Sequence, residues 1–495
     1  MLVARLSQDP NVRVALLESG GLDDATNDGA IEGTCAMISI DRRNRILFKG
    51  GTVLTMDRGL GDFTNGDVLV EGARIAAVGP DLEADDVEVI DATDAIVLPG
   101  FVDAHRHAWQ GALRRLMPNV DNLNAYVDAT HLTLGKFYRP EDMYIGNLLT
   151  ALSCLDAGTT TIIDASHNAR SPEHTDACID ALQEAGLRAL HMPGRPLAGQ
   201  WAEHWPQDLE RLKAVRFASD DQLVTLGMFC LPNPTVWHFA RHLDLRMLTE
   251  FLGPMAPMLS EVKDLLGPDN IFNHCTSLSE DAWLMLAGAG VSITVDPRSD
   301  AQYGLAGGIC AYQDAIDHGL RPGIGTDLET AYGGDMFTEM RAAFLLQRAI
   351  SQSRRYTGDE SAPPPVRVRS ILEAATIDGA RCAGLGSRIG SLTPGKQADL
   401  IVIRTDNVSL FPSNNAVGTV VHAAERAHVD TVMVDGRFRK RGGRLDVDFA
   451  RIRRAAEESV ARLFKASGYD PDILEEEFPE FAGARRQPER RSSEP

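Results

Sequence analysis

Two histidines separated by one residue end an apolar, strand-like run in the first quarter of the chain. The run covers residues 96–107 and closes on His105-Arg-His107. Residues i and i+2 of a strand project from the same face, so both imidazoles can point at one ion. Imidazole is the commonest metal ligand in proteins, and the pair predicts half of a metal site. The alternative left open by the pair alone is a strand end with two solvated histidines.

Seven further apolar runs of strand length follow, and helix-length segments separate them. This alternation is typical of a parallel sheet with crossover helices, and eight such units predict an α/β fold of the (β/α)8 TIM-barrel type. A TIM barrel builds its active site at the carboxyl ends of its strands, where the first, fifth, sixth and eighth runs carry candidate ligands or acid–base groups. The runs occupy residues 96–107, 159–167, 187–193, 223–232, 245–252, 270–276, 291–297 and 321–327.

Short alternating runs bounded by glycine and aspartate lie on either side of these units, and they read as hairpins of a small sheet. We expect both ends of the chain to form one composite β-sandwich domain. The predicted division is a composite β domain at 45–95 plus 396–445, a TIM barrel at 96–395, and a C-terminal helix and charged tail at 446–495.

The first 44 residues have a different character. Residues 2–21 resemble the early FAD-binding region of the glucose–methanol–choline flavin oxidoreductases, but no glycine-rich GxGxxG turn precedes them. Without that turn the segment cannot hold a cofactor. We therefore expect residues 1–44 to be an extension outside the family domain, with Met37 as an alternative start, and deletion of residues 1–36 to leave activity intact.

The composition is that of a large globular enzyme. The 495 residues are 44% hydrophobic, and no apolar run approaches the roughly 18–20 residues of a membrane span. A formal net charge of −21 argues against nucleic acid or a membrane surface as a partner, since both require basic patches. Seven cysteines without CxxC spacing, and no signal-peptide pattern, favour reduced thiols in the cytoplasm. We expect a small-molecule substrate and a homo-oligomer.

Four motifs in order along residues 45–445 make the chain resemble the amidohydrolase superfamily, in the branch of cytosine deaminase, guanine deaminase and the triazine hydrolases. The first three are Pro99-Gly-Phe-Val-Asp-Ala-His-Arg-His107, Phe272-Asn-His-Cys-Thr-Ser-Leu278 and Gly323-Ile-Gly-Thr-Asp327. The fourth covers residues 376–385 and 389–400.

The resemblance implies one divalent metal ion per chain, held by His105, His107 and Asp327, with zinc first and cobalt, iron or manganese as alternatives. Such a ligand set leaves room for a water whose pKa the cation lowers. The resemblance also implies that Asp327 accepts the proton of that water and that His274 polarises the scissile group. The alternatives are a helix N-cap for Asp327 and a buried structural role for His274. The fourth run has no lysine that could bridge two metal ions, as one does in binuclear members of the family, which favours a mononuclear site.

The fifth run departs from the family pattern. The deaminases of the family have an HxxE pair there, but this chain has Glu250 in place of the histidine and Gly253 in place of the glutamate. A carboxylate can ligate zinc, and we expect Glu250 to be a metal ligand. The alternatives are that Glu250 is a general base, or that His238 or His242 supplies the ligand.

Three residues near the predicted strand ends are candidates for substrate contact: His167, Asp300 and Trp109. A packing or capping role for His167, a solvated loop carboxylate for Asp300 and core packing for Trp109 are the alternatives.

These residues predict a hydrolase in which metal-bound hydroxide cleaves an amide, carbamate, thiocarbamate or urea bond of a small, largely apolar substrate. The choice follows from Gly253, because ring deamination needs the proton shuttle that the glutamate supplies in the family. Relatives that hydrolyse phenylurea or thiocarbamate herbicides fit this expectation. A deaminase or dechlorinase of a nitrogen heterocycle is the alternative within the class, and a non-catalytic scaffold is the alternative of another class.

Overall fold

The computed structural model describes residues 45–201, 204–219, 221–471 and 473. The predicted extension at 1–44 and most of the predicted tail lie outside these residues. Among the described residues, no helix is both long enough and apolar enough to cross a membrane.

Eight runs of parallel strand correspond to the eight predicted ones, and they pair in two parallel sheets. The fourth run is interrupted at Gly227, and the eighth is only two residues long. In chain order the strands are Phe101–Arg106, Thr159–Ser166, Arg188–Pro193, Val224–Leu226 with Met228–Phe229, Met247–Phe251, Asn270–His274, Ser292–Val295 and Gly323–Ile324. We refer to them below as the first to eighth parallel strands.

Backbone contacts connect the two parallel sheets at both of their edges. At one edge, Gly227 donates its N–H to the carbonyl of His191 at 2.9 Å, and Met228 donates to the carbonyl of Arg246 at 2.9 Å. At the other edge, Arg106 and Asp327 form an isolated parallel bridge. These contacts bring the carboxyl ends of the first and eighth strands together.

The first predicted run proves to be two strands. Ala95–Pro99 pairs antiparallel with Leu400–Arg404, whereas Phe101–Arg106 pairs with the second parallel strand. Gly100 lies between them, and a Cβ there would come within 2.2 Å of the Thr160 side chain. The expectation of one continuous strand over 96–107 is therefore wrong, because the chain passes from one sheet to another at Gly100.

Strands from both ends of the described chain build one nine-stranded sheet. Leu400–Arg404 lies beside Ala95–Pro99, which lies beside Arg45–Val53, so the late strands continue the early ones. The members are Arg45–Val53, Phe63–Glu71, Arg74–Gly79, Glu88–Asp91, Ala95–Pro99, Leu400–Arg404, Val429–Val434, Arg437–Arg441 and Arg444–Leu445.

The parallel strands are covered on both faces, which explains their continuous apolar sequences. Alternate residues divide between two buried clusters: Phe101, Ile162 and Phe272 belong to one, and Val102, Ile163 and Ile271 to the other. The longer helices of the described chain are Pro140–Asp156, Pro172–Ala185, Asp208–Val215, Pro234–His242, Glu280–Ala289, Met336–Tyr356 and Phe449–Ser467. Shorter α-helical segments are Leu123–Tyr126, Leu259–Val262, Pro297–Gln302, Tyr312–Asp317, Val368–Glu373, Gly379–Cys382 and Ala416–Gly418.

Candidate metal centre

Four side chains from three strand ends converge on one point. His107 Nε2 lies 3.0 Å from Glu250 Oε1 and 3.1 Å from Asp327 Oδ1. His105 Nε2 lies 3.5 Å from each of the same two oxygens. The structure thus brings together all four residues that the sequence predicted as ligands.

Backbone hydrogen bonds join the ends of the first and eighth parallel strands. His107 donates its N–H to the Asp327 carbonyl at 2.7 Å, and Asp327 donates to the His105 carbonyl at 2.9 Å. Asp327 has a φ of 62°, a left-handed conformation that non-glycine residues adopt rarely and mostly at functional sites. At Gly325 a Cβ would lie 2.6 Å from the His105 backbone nitrogen. Only glycine therefore allows this approach of the eighth strand to the first.

The donor atoms fit a divalent cation. His107 donates from Nδ1 to the Ala165 carbonyl at 2.8 Å, so the neutral ring has its lone pair on Nε2. His105 Nε2, Glu250 Oε1 and Asp327 Oδ1 are buried and have no hydrogen-bond partner, a costly state unless another group satisfies them. A cation at this point would satisfy all of them.

The charges of the cluster point to the same conclusion. Burial lowers the pKa of His107, but the adjacent carboxylates of Asp327 and Glu250 outweigh it and raise that pKa well above its usual value, so a metal that binds here displaces a proton from the ring. Burial raises the pKa of Glu250, but His105 and His107 outweigh it and hold that pKa well below its usual value. The same two histidines outweigh burial at Asp327 and hold its pKa well below its usual value, so both carboxylates remain anionic, which is the state that binds a metal.

His274 lies beside this cluster at the end of the sixth strand and also has a left-handed backbone, with a φ of 66°. Its Nδ1 donates to Asp300 Oδ1 at 2.8 Å and lies 3.4 Å from Asp296 Oδ2. Burial lowers the pKa of His274, but Asp300 outweighs it and raises the pKa to about 9. Because Nδ1 is engaged, Nε2 is the nitrogen left for the cavity that His274 lines.

Asp300 is not the solvated loop residue that the sequence left open. It is fully buried on the short helix Pro297–Gln302 and contacts His274. Its position predicts that it orients His274 rather than substrate. The neighbouring Ser299 donates a short hydrogen bond to Asp327 Oδ2, a contact that sequence reasoning missed.

A cavity of about 170 Å³ opens above the cluster. Glu250, His107, His167, His274 and Asp327 contribute to its wall. The other lining residues are largely apolar or aromatic: Leu123, Tyr126, Val127, His131, Leu197, Ser299, Tyr303, Leu305 and Leu328. A mainly apolar wall with a few polar groups is typical of a small-molecule site.

His167 and Trp109 occupy different layers around this cavity. His167 lines it, with its ring centroid 4.3 Å from that of His107. Trp109 is fully buried and packs against Tyr138 at 5.0 Å and His167 at 5.9 Å. The structure thus places Trp109 behind the cavity histidines, in agreement with its alternative role in core packing.

The backbone leaves no room for a side chain at Gly253, the position at which the sequence comparison expected a glutamate. A Cβ at Gly253 would lie 2.2 Å from the Ser277 carbonyl oxygen, so the backbone after the sixth strand fills the space of a side chain. His238 and His242 lie on the helix Pro234–His242, and neither belongs to the groups of metal-ligating atoms found among the described residues. Glu250 is therefore the residue of this region that faces the metal centre.

The amidohydrolase family model matches residues 96–225 and 239–439. A 5-methylthioadenosine/S-adenosylhomocysteine deaminase from Desulforudis audaxviator is 32% identical over 442 residues, which cover 82% of this chain and 96% of the relative. A 5'-deoxyadenosine deaminase from Methanosarcina acetivorans is 29% identical and covers 84% of this chain and 99% of the relative.

Two solved structures show the fold. Atrazine chlorohydrolase from Arthrobacter aurescens, complexed with zinc, has a TM-score of 0.73 at 21% identity and covers 84% of this chain and 100% of that one. An adenosine deaminase from Xanthomonas campestris with bound zinc has a TM-score of 0.72 at 24% identity. The match covers 85% of this chain and 98% of that one. These likenesses confirm a TIM-barrel-like α/β fold.

The sequence prediction of the family is confirmed, and the non-catalytic scaffold is not supported. The family model matches more than half of the chain, and the first relative is 32% identical over 82% of it. The chain belongs to the amidohydrolase family of metal-dependent hydrolases and is a hydrolase of carbon–nitrogen bonds other than peptide bonds.

Proposed function

We propose that the protein deaminates an amino-substituted nitrogen heterocycle by hydrolysis, with adenine nucleosides altered at the 5' position as the first substrate class to assay. The names of the relatives support this class over the amides, carbamates and ureas that the sequence favoured. The observation that carries the proposal is the position of Glu250, whose side chain is 31% exposed in the cavity wall with Oε1 3.0 Å from His107 Nε2. A carboxylate there can move protons in place of the absent glutamate at position 253.

His105, His107 and Asp327 would hold the ion, with zinc as the first candidate since both zinc-bound structures named above share the fold. The sequence favoured Glu250 as a further ligand, but we assign it to proton transfer because its side chain is 31% exposed, against 5% for Asp327. A divalent ion bound there would lower the pKa of a coordinated water and so supply the nucleophile at neutral pH.

Hydrolytic deamination transfers one proton of water to the ring nitrogen beside the reacting carbon and one to the departing ammonia. We assign the first transfer to the Glu250 carboxylate, because this side chain contacts the cluster and lines the cavity. Asp327 carries the second, and Ser299 holds Oδ2 of this carboxylate through a hydrogen bond. His274, aligned by Asp300, donates a hydrogen bond to the oxygen that arrives at the carbon.

A larger cavity beside the first supports a substrate with more than one ring. It has a volume of about 470 Å³ and shares Leu197 with the cavity above the cluster. Its remaining wall is mainly apolar, with Trp201, Trp205 and Phe229 among the lining residues. A heterocycle in the small cavity could extend its substituent into this space.

A second candidate is hydrolysis of an amide, carbamate, thiocarbamate or urea, and Gly253 is the observation that favours it. Such substrates require only one proton at the leaving atom, so a single acid–base group suffices.

We also propose the finer architecture. The contacts at both sheet edges support one closed (β/α)8 barrel within 96–395, and the nine-stranded sheet supports a composite β domain of 45–95 and 396–445. The helix Phe449–Ser467 lies in the predicted C-terminal segment 446–495. A homo-oligomer and a cytoplasmic location stay predictions.

Purified protein loaded with zinc should release ammonia from adenine nucleosides. Phenylureas, carbamates and thiocarbamates, assayed for amine release in parallel, should turn over at least about 100-fold more slowly in kcat/KM. Turnover of the ureas or carbamates alone would contradict the proposal and select the second candidate.

A further inference from the structure

His167 follows the second parallel strand and is 3% exposed. Its Nδ1 lies 3.3 Å from the Ala165 carbonyl oxygen, the same atom that accepts from His107 Nδ1 at 2.8 Å. A carbonyl oxygen can only accept hydrogen bonds, so both rings carry their proton on Nδ1. The neutral form of each ring therefore has a lone pair on Nε2.

The two rings are also close enough to share an ion. One nitrogen of His107, one nitrogen of His167 and one oxygen of Glu250 lie within 4.8 Å of one another. Two imidazoles bound to one zinc at about 2.1 Å place their nitrogens roughly 3.4 Å apart. The His107 and His167 nitrogens are thus near the spacing that a shared ion requires.

The surroundings of His167 restrict its ring to this orientation. His131 packs at 4.6 Å and Phe229 at 5.2 Å between ring centroids. A ring held by a carbonyl and by aromatic neighbours loses little entropy when it binds a metal, which is how ligands are preorganised in metal sites.

We propose that His167 is a third imidazole ligand of the metal, supplied by the second strand because the fifth strand lacks a histidine. The inference rests on the proposed metal-dependent function. With His105, His107 and His167 as neutral ligands and Asp327 as the one carboxylate ligand, a divalent ion keeps a net positive charge. That charge favours ionisation of water. Because the other four residues supply the ligands, Glu250 is free to move protons.

The test compares His167→Asn with His131→Asn. His131 is the matched control, since it lines the same cavity and packs against His167, but its Nε2 lies 3.2 Å from the Tyr126 hydroxyl and it belongs to none of the metal-ligating groups. Zinc affinity is measured by competition with a chromogenic chelator. We expect His167→Asn to weaken binding by more than about 100-fold and His131→Asn by less than about tenfold.

Two further readouts separate ligation from indirect effects. X-ray absorption of the zinc-loaded proteins should show one imidazole fewer in His167→Asn, and added imidazole should restore the cobalt(II) visible spectrum of His167→Ala but leave that of His131→Ala unchanged. Thermal unfolding of the metal-free forms verifies that each variant folds.

An unchanged imidazole number in His167→Asn, or zinc affinity within about twofold of the wild type, would overturn the proposal. If His167→Asn binds zinc normally while the wild type releases ammonia, the inference fails and the function stands. If the wild type itself binds no divalent metal, both fail.

Discussion

The two sides of the metal centre are built differently. On one side, His105, His107 and Asp327 are joined by backbone hydrogen bonds between the first and eighth strands, and Gly325 permits their close approach. On the other side, Glu250 stands alone at the end of the fifth strand, and the space beyond Gly253 is filled by the Ser277 backbone. The first side follows the family motif, while the second departs from it.

The difference suggests a division of labour. A side fixed by backbone hydrogen bonds can hold an ion at one point, since its donors have little freedom. On the other side, substitution of the single cavity-facing carboxylate, Glu250, can change the reaction without loss of the ion. The substrate and the proton path would then be set by the second side and the metal by the first.

The largest effect should come from the first side. His107→Ala removes a ligand, and we expect kcat/KM to fall by roughly 10³-fold or more with loss of bound zinc. Metal analysis and ammonia release measure both quantities. His242→Ala, on the helix before the fifth strand, is the control and should retain metal and activity. Loss of zinc in this control would instead support His242 as a metal ligand.

A smaller effect should follow from Asp300→Asn. Asp300 holds the pKa of His274 at about 9 against the opposing effect of burial, so its neutralisation should lower that pKa and deprotonate His274 at a lower pH. We expect the alkaline limb of the kcat/KM profile to move down by at least about one pH unit. Asp317→Asn, at an exposed aspartate, serves as the control. If the alkaline limb of Asp300→Asn stays at the wild-type pH, His274 does not donate the proposed hydrogen bond.

The smallest effect concerns folding. Gly253→Ala places a Cβ 2.2 Å from the Ser277 carbonyl oxygen, and we expect the free energy of unfolding to fall by about 1–3 kcal/mol. Gly288→Ala, in the helix Glu280–Ala289 with open space around its Cβ, should instead raise it by up to about 1 kcal/mol. Urea unfolding measures both, and equal stability of the two variants would mean that position 253 can accept a side chain.

The sequence predicted the first side well because its signals are local. The i, i+2 spacing of His105 and His107 requires only a strand, and the eight alternating runs place Asp327 at the same edge. The sequence could not show that the first run divides at Gly100, because residues on both sides of this glycine are apolar. The division depends on Thr160, which lies 60 positions later in the chain and leaves no room for a side chain at position 100.

The second side was harder to predict because its contacts join distant segments. Ser299 reaches Asp327 across 28 positions, and His131 enters the cavity from a helical segment at Val127–Leu134 that no motif marks. The sequence showed only that position 253 lacks a side chain, and it could not show that the Ser277 backbone fills the space beside it. Such contacts arise from backbone positions in the folded chain, which residue types alone do not specify.

The most direct test of the division between the two sides is Glu250→Gln, with zinc content and kcat measured on the same preparation. The amide keeps the shape of the side chain but cannot accept a proton, so we expect full zinc occupancy and a fall in kcat of about 10²–10⁴-fold. Loss of zinc together with activity would contradict the account, because it would show that Glu250 is a metal ligand and not the group that transfers the proton.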